Sequence, residues 1–192
     1  GKSELVSRRF PAWLLGRRPG VKFMGASYNQ DLASDFGRDV RNLIADPEYR
    51  NIFPNVALRP DSTAADRWHT SQGGIYYAVG VKGPATGRGL DVGSIDDPFK
   101  DRADADSQAN RDTVWKWYTN VFLTRQSKHA AIILTNTRWH EDDLTGRILD
   151  AASAGVARLL RVRTQGPGAI RPRRLGVAGP RGGSDSCASR PS

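Results

Sequence analysis

Four short apolar runs, each followed by a turn or a stretch of helical periodicity, constrain this chain more than any other feature. Val21–Ser27 (VKFMGAS), Ile75–Val81 (IYYAVGV), Leu90–Asp97 and Ala130–Thr137 (AAIILTNT) have the length and content of buried strands. Asn29–Ala45 places Leu32, Phe36, Val40, Leu43 and Ile44 on one helical face, and Ala103–Phe122 does the same with Val114, Trp117, Tyr118 and Val121. Asp142–Ala152 reads as a last, shorter helix. Strands alternating with helices argue for a parallel sheet covered on both faces. The expected fold class is therefore α/β.

Ahead of the first strand, Glu4–Leu15 carries Val6, Phe10, Trp13 and Leu14 at helical spacing, and Pro11 is expected to kink or shorten that helix. Gly16–Gly20 reads as a turn, and Pro47, Pro54 and Pro60 mark a long connection. Gly83–Gly89 is a Gly-rich loop holding one arginine, Arg88.

Charge divides the chain in two. The formal net charge is +9, which suggests a nucleic-acid partner. Yet residues 158–192 hold eight Arg, no Lys and a single acid, Asp185, whereas residues 1–157 hold 21 basic and 19 acidic residues. The high pI thus belongs mostly to the tail. Rich in Arg, Gly, Pro and Ser, residues 158–192 lack the apolar content to order themselves and are expected to be disordered. The Arg-only bias also has the look of a GC-rich gene read out of frame. The expected division is a domain at 1–157 and a tail at 158–192. The one cysteine, Cys187, excludes a disulfide framework, which fits a cytosolic protein. No apolar run reaches the ~20 residues of a membrane span.

Three short motifs carry chemistry. Gly1-Lys2-Ser3, running at once into a helix, matches the last three residues of a P-loop. There the helix N-terminus cradles phosphate, the Lys reaches the β- and γ-phosphates and the Ser hydroxyl ligates Mg²⁺. Ser94-Ile95-Asp96-Asp97-Pro98 is a strand ending in two acids, the construction of a Walker B site. Pro98 stops the strand, so both acids fall at its carboxyl end, where open α/β sheets bind ligands. Thr135-Asn136-Thr137 ends the fourth strand with small polar groups able to sense a γ-phosphate. Each motif also has a plain structural reading as a cap or turn. His140-Glu141-Asp142-Asp143 fits the acidic first turn of a helix better than a metal cluster.

In order along the chain, the GKS-helix start, ASYNQDLASDFGRDVRN, GGIYYAVGVKGPATGRGLDVGSIDDPFKD and ILTNTRWHEDDLTGRIL resemble the large terminase subunit of tailed phages. The resemblance covers residues 1–152. It implies a P-loop NTPase of the ASCE/RecA-like type, here without the strand that precedes the P-loop, and in the intact protein a following nuclease domain absent from this chain. It implies ATP and Mg²⁺ as cofactors. The implied partners are double-stranded DNA, the portal protein, the small terminase subunit and further copies in a ring, in the host cytoplasm at the procapsid. By position, Gly1, Lys2 and Ser3 would bind nucleotide, with Ser3 and Asp96 on the metal. Asp97 stands where such motors place a catalytic Glu. Arg88 is a candidate arginine finger, and Thr135, Asn136 and Thr137 match the coupling motif. Two further readings stay open: another P-loop motor, such as a helicase or recombinase ATPase, and an inactive prophage remnant.

Overall fold

The computed structural model describes residues 1–85 and 89–154. Arg88 and the 158–192 tail therefore lie outside the described residues. Six strands form one mixed sheet: β1 (Lys22–Ser27), β2 (Leu58–Thr63), β3 (Arg67–Thr70), β4 (Ile75–Gly80), β5 (Leu90–Asp96) and β6 (Gln126–Thr135). Their spatial order is β2-β3-β4-β1-β5-β6. The pairs β4·β1, β1·β5 and β5·β6 are parallel; β2·β3 and β3·β4 are antiparallel. All four expected strands are present, and they make the parallel part of the sheet.

The long proline-marked connection is not a loop. Pro47 begins a short helix, α3 (Pro47–Ile52), capped by Asp46, whose Oδ1 accepts from Glu48 N at 2.8 Å. Pro starts a helix well because its missing N–H has no helical partner there. Pro60 lies in β2, the outermost strand, where a strand tolerates Pro. This hairpin docks through aromatic rings. Trp68 stacks on Tyr76 at 5.1 Å and Tyr76 on Phe23 at 5.4 Å, so one aromatic row crosses β3, β4 and β1. Trp68 also donates its indole N–H to Gly37 O at 2.9 Å, tying the hairpin to α2 (Gln30–Ala45).

Both faces of the parallel strands are apolar, as a doubly covered sheet requires. Phe23, Tyr76 and Ala78 pack under α2 and the N-terminal helix with Leu15, Val40 and Ile44. Met24, Tyr77, Val79 and Ile95 face the other way, under α5 (Gln108–Trp117) and α6 (Leu144–Ser153), with Val114, Trp117, Phe122 and Leu144. Each fully buried Leu, Ile or Phe contributes about 1.5–3 kcal/mol. Gly93 weakens the apolar run of β5 in the sequence for a packing reason. A Cβ there would meet the Phe122 ring at 2.6 Å.

Two expected helices have different detail. The expected Ala103–Phe122 helix is broken at Ser107, giving α4 (Arg102–Asp106) and α5, and ends in a π turn at Tyr118–Phe122. The N-terminal helix runs past Leu15 to Arg17. Its first part, Glu4–Arg9, is a π-helix leading into α1 (Phe10–Arg17), and Phe10 N donates five residues back to Leu5 O. Pro11 explains this register. In unbroken α-helix its ring would strike the carbonyl of Ser7 four residues earlier; the π turn relieves that contact and places Pro11 in a new first turn.

Candidate functional site

The carboxyl ends of β5 and β6 meet the start of the N-terminal helix. Lys2 and Ser3 open that helix, Asp96 and Asp97 close β5, and Thr135–Thr137 close β6. Lys2 Nζ donates to Asn136 O at 3.4 Å. Asp97 N donates to Thr135 O at 2.9 Å, and Thr137 N donates to Asp97 Oδ1 at 2.9 Å. All three expected motifs thus converge on one rim of the sheet. Gly1 is exposed, and its carbonyl accepts from Leu5 N at 3.3 Å.

Asp96 is the buried member of the acid pair, 2% exposed. Its Oδ2 accepts from Ser7 Oγ at 2.7 Å, and its Oδ1 has no partner among the described residues. Burial pushes its carboxyl up, and the charge of Asp97 adds to this; the Ser7 and Ser3 hydroxyls and the Lys2 charge act the other way. Asp97 adopts φ 44°, the left-handed region, which Asp tolerates better than most residues. That turn sends two consecutive acids to different places. Asp96 goes under the helix, and Asp97 goes to the end of β6.

Around this rim the TRWHEDDL stretch forms a structural brace. Asp143 caps α6, accepting from Gly146 N at 2.9 Å, and its buried carboxylate pairs with Arg138 Nε at 2.7 Å. Asn136 joins in: its Oδ1 accepts from Thr145 Oγ1 at 2.8 Å. Arg147 bridges Asp142 and Asp112, and the buried Arg111 also reaches Asp142. Gly146 cannot be replaced freely, because a Cβ there would run into the Glu141 carbonyl oxygen. His140 Nδ1 accepts from Asp142 N at 3.0 Å, as in a helix-start turn. Among the described residues no group of His, Cys, Asp and Glu has the arrangement of a metal site.

Sequence reasoning missed Ser7. It follows Ser3 by four residues, the spacing that puts two side chains on one helical face, and that spacing was the available signal. It also missed Ser27, the register partner of Asp96 on β1, whose hydroxyl is buried and without a hydrogen-bond partner among the described residues.

A family model described as "Terminase large subunit, T4likevirus-type, N-terminal" matches residues 1–172. The chain belongs to this terminase family. Among solved structures, the HK97 bacteriophage large terminase is similar over 81% of this chain and 31% of its own, at 17% identity and a TM-score of 0.53. The N-terminal domain of the DNA packaging ATPase from bacteriophage phi29 is matched over 90% of this chain and 87% of its own, at 12% identity and a TM-score of 0.44. The first likeness supports the terminase fold. This terminase chain spans about a third of the length of the HK97 protein. Among curated proteins none matches it. No helix among its described residues is long and apolar enough to cross a membrane.

Proposed function

We propose that this chain is the ATPase portion of a DNA-packaging terminase large subunit, coupling ATP hydrolysis to translocation of double-stranded DNA into a procapsid. The observation that carries the reading is the meeting of Lys2, the Asp96–Asp97 pair and Thr135–Thr137 at one rim. Family membership supports reading that rim as a nucleotide site rather than a chance cluster of caps.

The donor set fits Mg²⁺. Asp96 offers a buried carboxylate oxygen with no hydrogen-bond partner among the described residues, and the Ser3 hydroxyl acts on the same carboxyl. Hard oxygen donors of this kind suit a small divalent cation. Ser3 and Asp96 would hold it as the Walker A serine and Walker B acid, and the bound ion neutralises phosphate charge. Lys2, at the helix start, places its ammonium against the β- and γ-phosphates. Asp97 orients the attacking water. Asp97 is also bonded to the backbone of Thr135 and Thr137, so a change at the γ-phosphate moves the end of β6. Arg88 is offered to a neighbouring subunit's nucleotide as an arginine finger, which needs the ring of copies at the portal. Portal protein, small subunit and DNA complete the assembly.

The test is turnover of Mg²⁺-ATP by this chain and by Lys2→Ala. Mg²⁺-dependent hydrolysis that falls about 10²-fold or more in the variant supports the reading, the scale of losing one charge-stabilising donor. Equal turnover in the two proteins overturns it.

A further inference from the structure

The hydroxyl of Ser7, like that of Thr145, which reaches Asn136 Oδ1, bonds outside its own helix. Thr113, Thr119 and Ser153 each turn back and donate to the carbonyl four residues earlier, on Ala109, Trp115 and Leu149. This is the usual resting place of a helical hydroxyl. Ser7 instead donates across the layer, from the N-terminal helix to Asp96 Oδ2 on β5, at 2.7 Å. Both residues are buried, at 5% and 2% exposure. Ser7 also lies inside the π turn forced upstream of Pro11, and π turns recur at functional positions.

We propose that Ser7 is a positioning residue for Asp96, fixing the carboxylate so that Oδ1 faces the metal–phosphate side of the site. The inference rests on the nucleotide reading above and adds a residue to it. A hydroxyl suits this task better than a cationic side chain would. It donates one proton to Oδ2 and so sets the rotation of the carboxylate. It does not cancel the negative charge that a divalent cation needs. Oδ1 is then the oxygen without a hydrogen bond among the described residues. Outer partners that orient a ligating carboxylate commonly matter about 10- to 100-fold in metal affinity.

The experiment is a Mn²⁺ titration by electron paramagnetic resonance, in the presence of a non-hydrolysable ATP analogue. It uses the whole chain, Ser7→Ala and Ser7→Thr. Ser7→Ala is expected to weaken Mn²⁺ binding about 10- to 100-fold. Ser7→Thr, which keeps the hydroxyl, should stay near the parent. Affinity for the metal-free analogue should not change in either, which separates positioning from general damage to the fold. If Ser7→Ala does not fold, Ser7→Cys takes its place, because a thiol of similar size is a poor donor. Metal affinity unchanged in the hydroxyl-free variant, or lost equally in Ser7→Thr, overturns the proposal alone. A parent chain that binds no Mn²⁺ with the analogue overturns the nucleotide reading and this proposal together.

Discussion

Asp97 and Thr137 hold each other in place: the Thr137 amide donates to Asp97 Oδ1 at 2.9 Å, from a residue 40 positions along the chain. The Asp97 amide returns the contact to Thr135 O. The side chain proposed to orient water is therefore bonded to the strand end proposed to respond. Asp97→Asn retains an oxygen for the Thr137 amide and tolerates φ 44°. We expect ATP turnover to fall about 10²–10⁴-fold, the scale of losing a general base. Thermal unfolding should stay near the parent. A variant with full turnover would remove Asp97 from the chemistry.

If the proposed role of Asp96 holds, its function is kept at a cost in stability. Its carboxylate is buried, pushed up by burial, and lacks a cationic side chain at hydrogen-bonding distance. Asp96→Asn removes that charge while keeping an acceptor for Ser7. Without metal or nucleotide, we expect the variant to be more stable than the parent, by about 1 kcal/mol, and to lose Mg²⁺-dependent turnover. Urea midpoints of the two proteins test this. A less stable variant would show that Asp96 serves the fold first.

The opposite holds for Arg138. Its guanidinium, 16% exposed, faces an Asp143 carboxylate 1% exposed. Arg138→Ala strands that carboxylate and should cost about 3–5 kcal/mol. Arg9→Ala removes an ion pair to Glu4 that is largely in water and should cost under about 1 kcal/mol. Chemical denaturation of the two variants compares them directly, and similar losses would refute the distinction.

Acid should weaken the brace around α6. Arg147, then Arg111, hold the Asp142 carboxyl down to about 2, against a smaller opposing effect of burial. The folded state thus binds this proton less readily than the unfolded chain, whose Asp titrates near ~3.9. Stability from this group is present above pH ~4 and is lost as pH falls from there toward about 2. Asp96 and Asp143 are shifted upward, so their protonation works in the other direction. Asp142→Asn should flatten the loss between those two pH values, followed by urea midpoints across the range. An unchanged profile would place the acid sensitivity elsewhere.

The parallel strands were legible because each is a short apolar run whose alternate residues meet two different cores, as Phe23 and Met24 do. The convergence of Lys2, Asp96–Asp97 and Thr135–Thr137 was legible because strand ends in a parallel sheet share one rim. The β2–β3 hairpin was not. Pro60, with Pro47 and Pro54 before it, reads only as a long connection, and the hairpin's anchor, Trp68 on Tyr76, is a contact between strands that no local pattern reveals. The break at Ser107 was hidden because Ser is neutral within a helix pattern until its hydroxyl is seen capping Asn110 N, at 3.4 Å. Ser7 was hidden because nothing local marks the partner, Asp96, that its hydroxyl reaches 89 residues away.

The outermost parallel strand has a consequence for handling the protein. Among the described residues β6 (Gln126–Thr135) pairs with β5 alone, with a register shift after Gln126. Lys128 and His129 place polar side chains near its start, but Ile132, Ile133 and Leu134 follow without a charge or proline. An edge segment without charge or proline is a template for strands from other molecules. We expect the purified chain to scatter more light as its concentration rises, and Ile133→Lys, a gatekeeper charge, to suppress that growth.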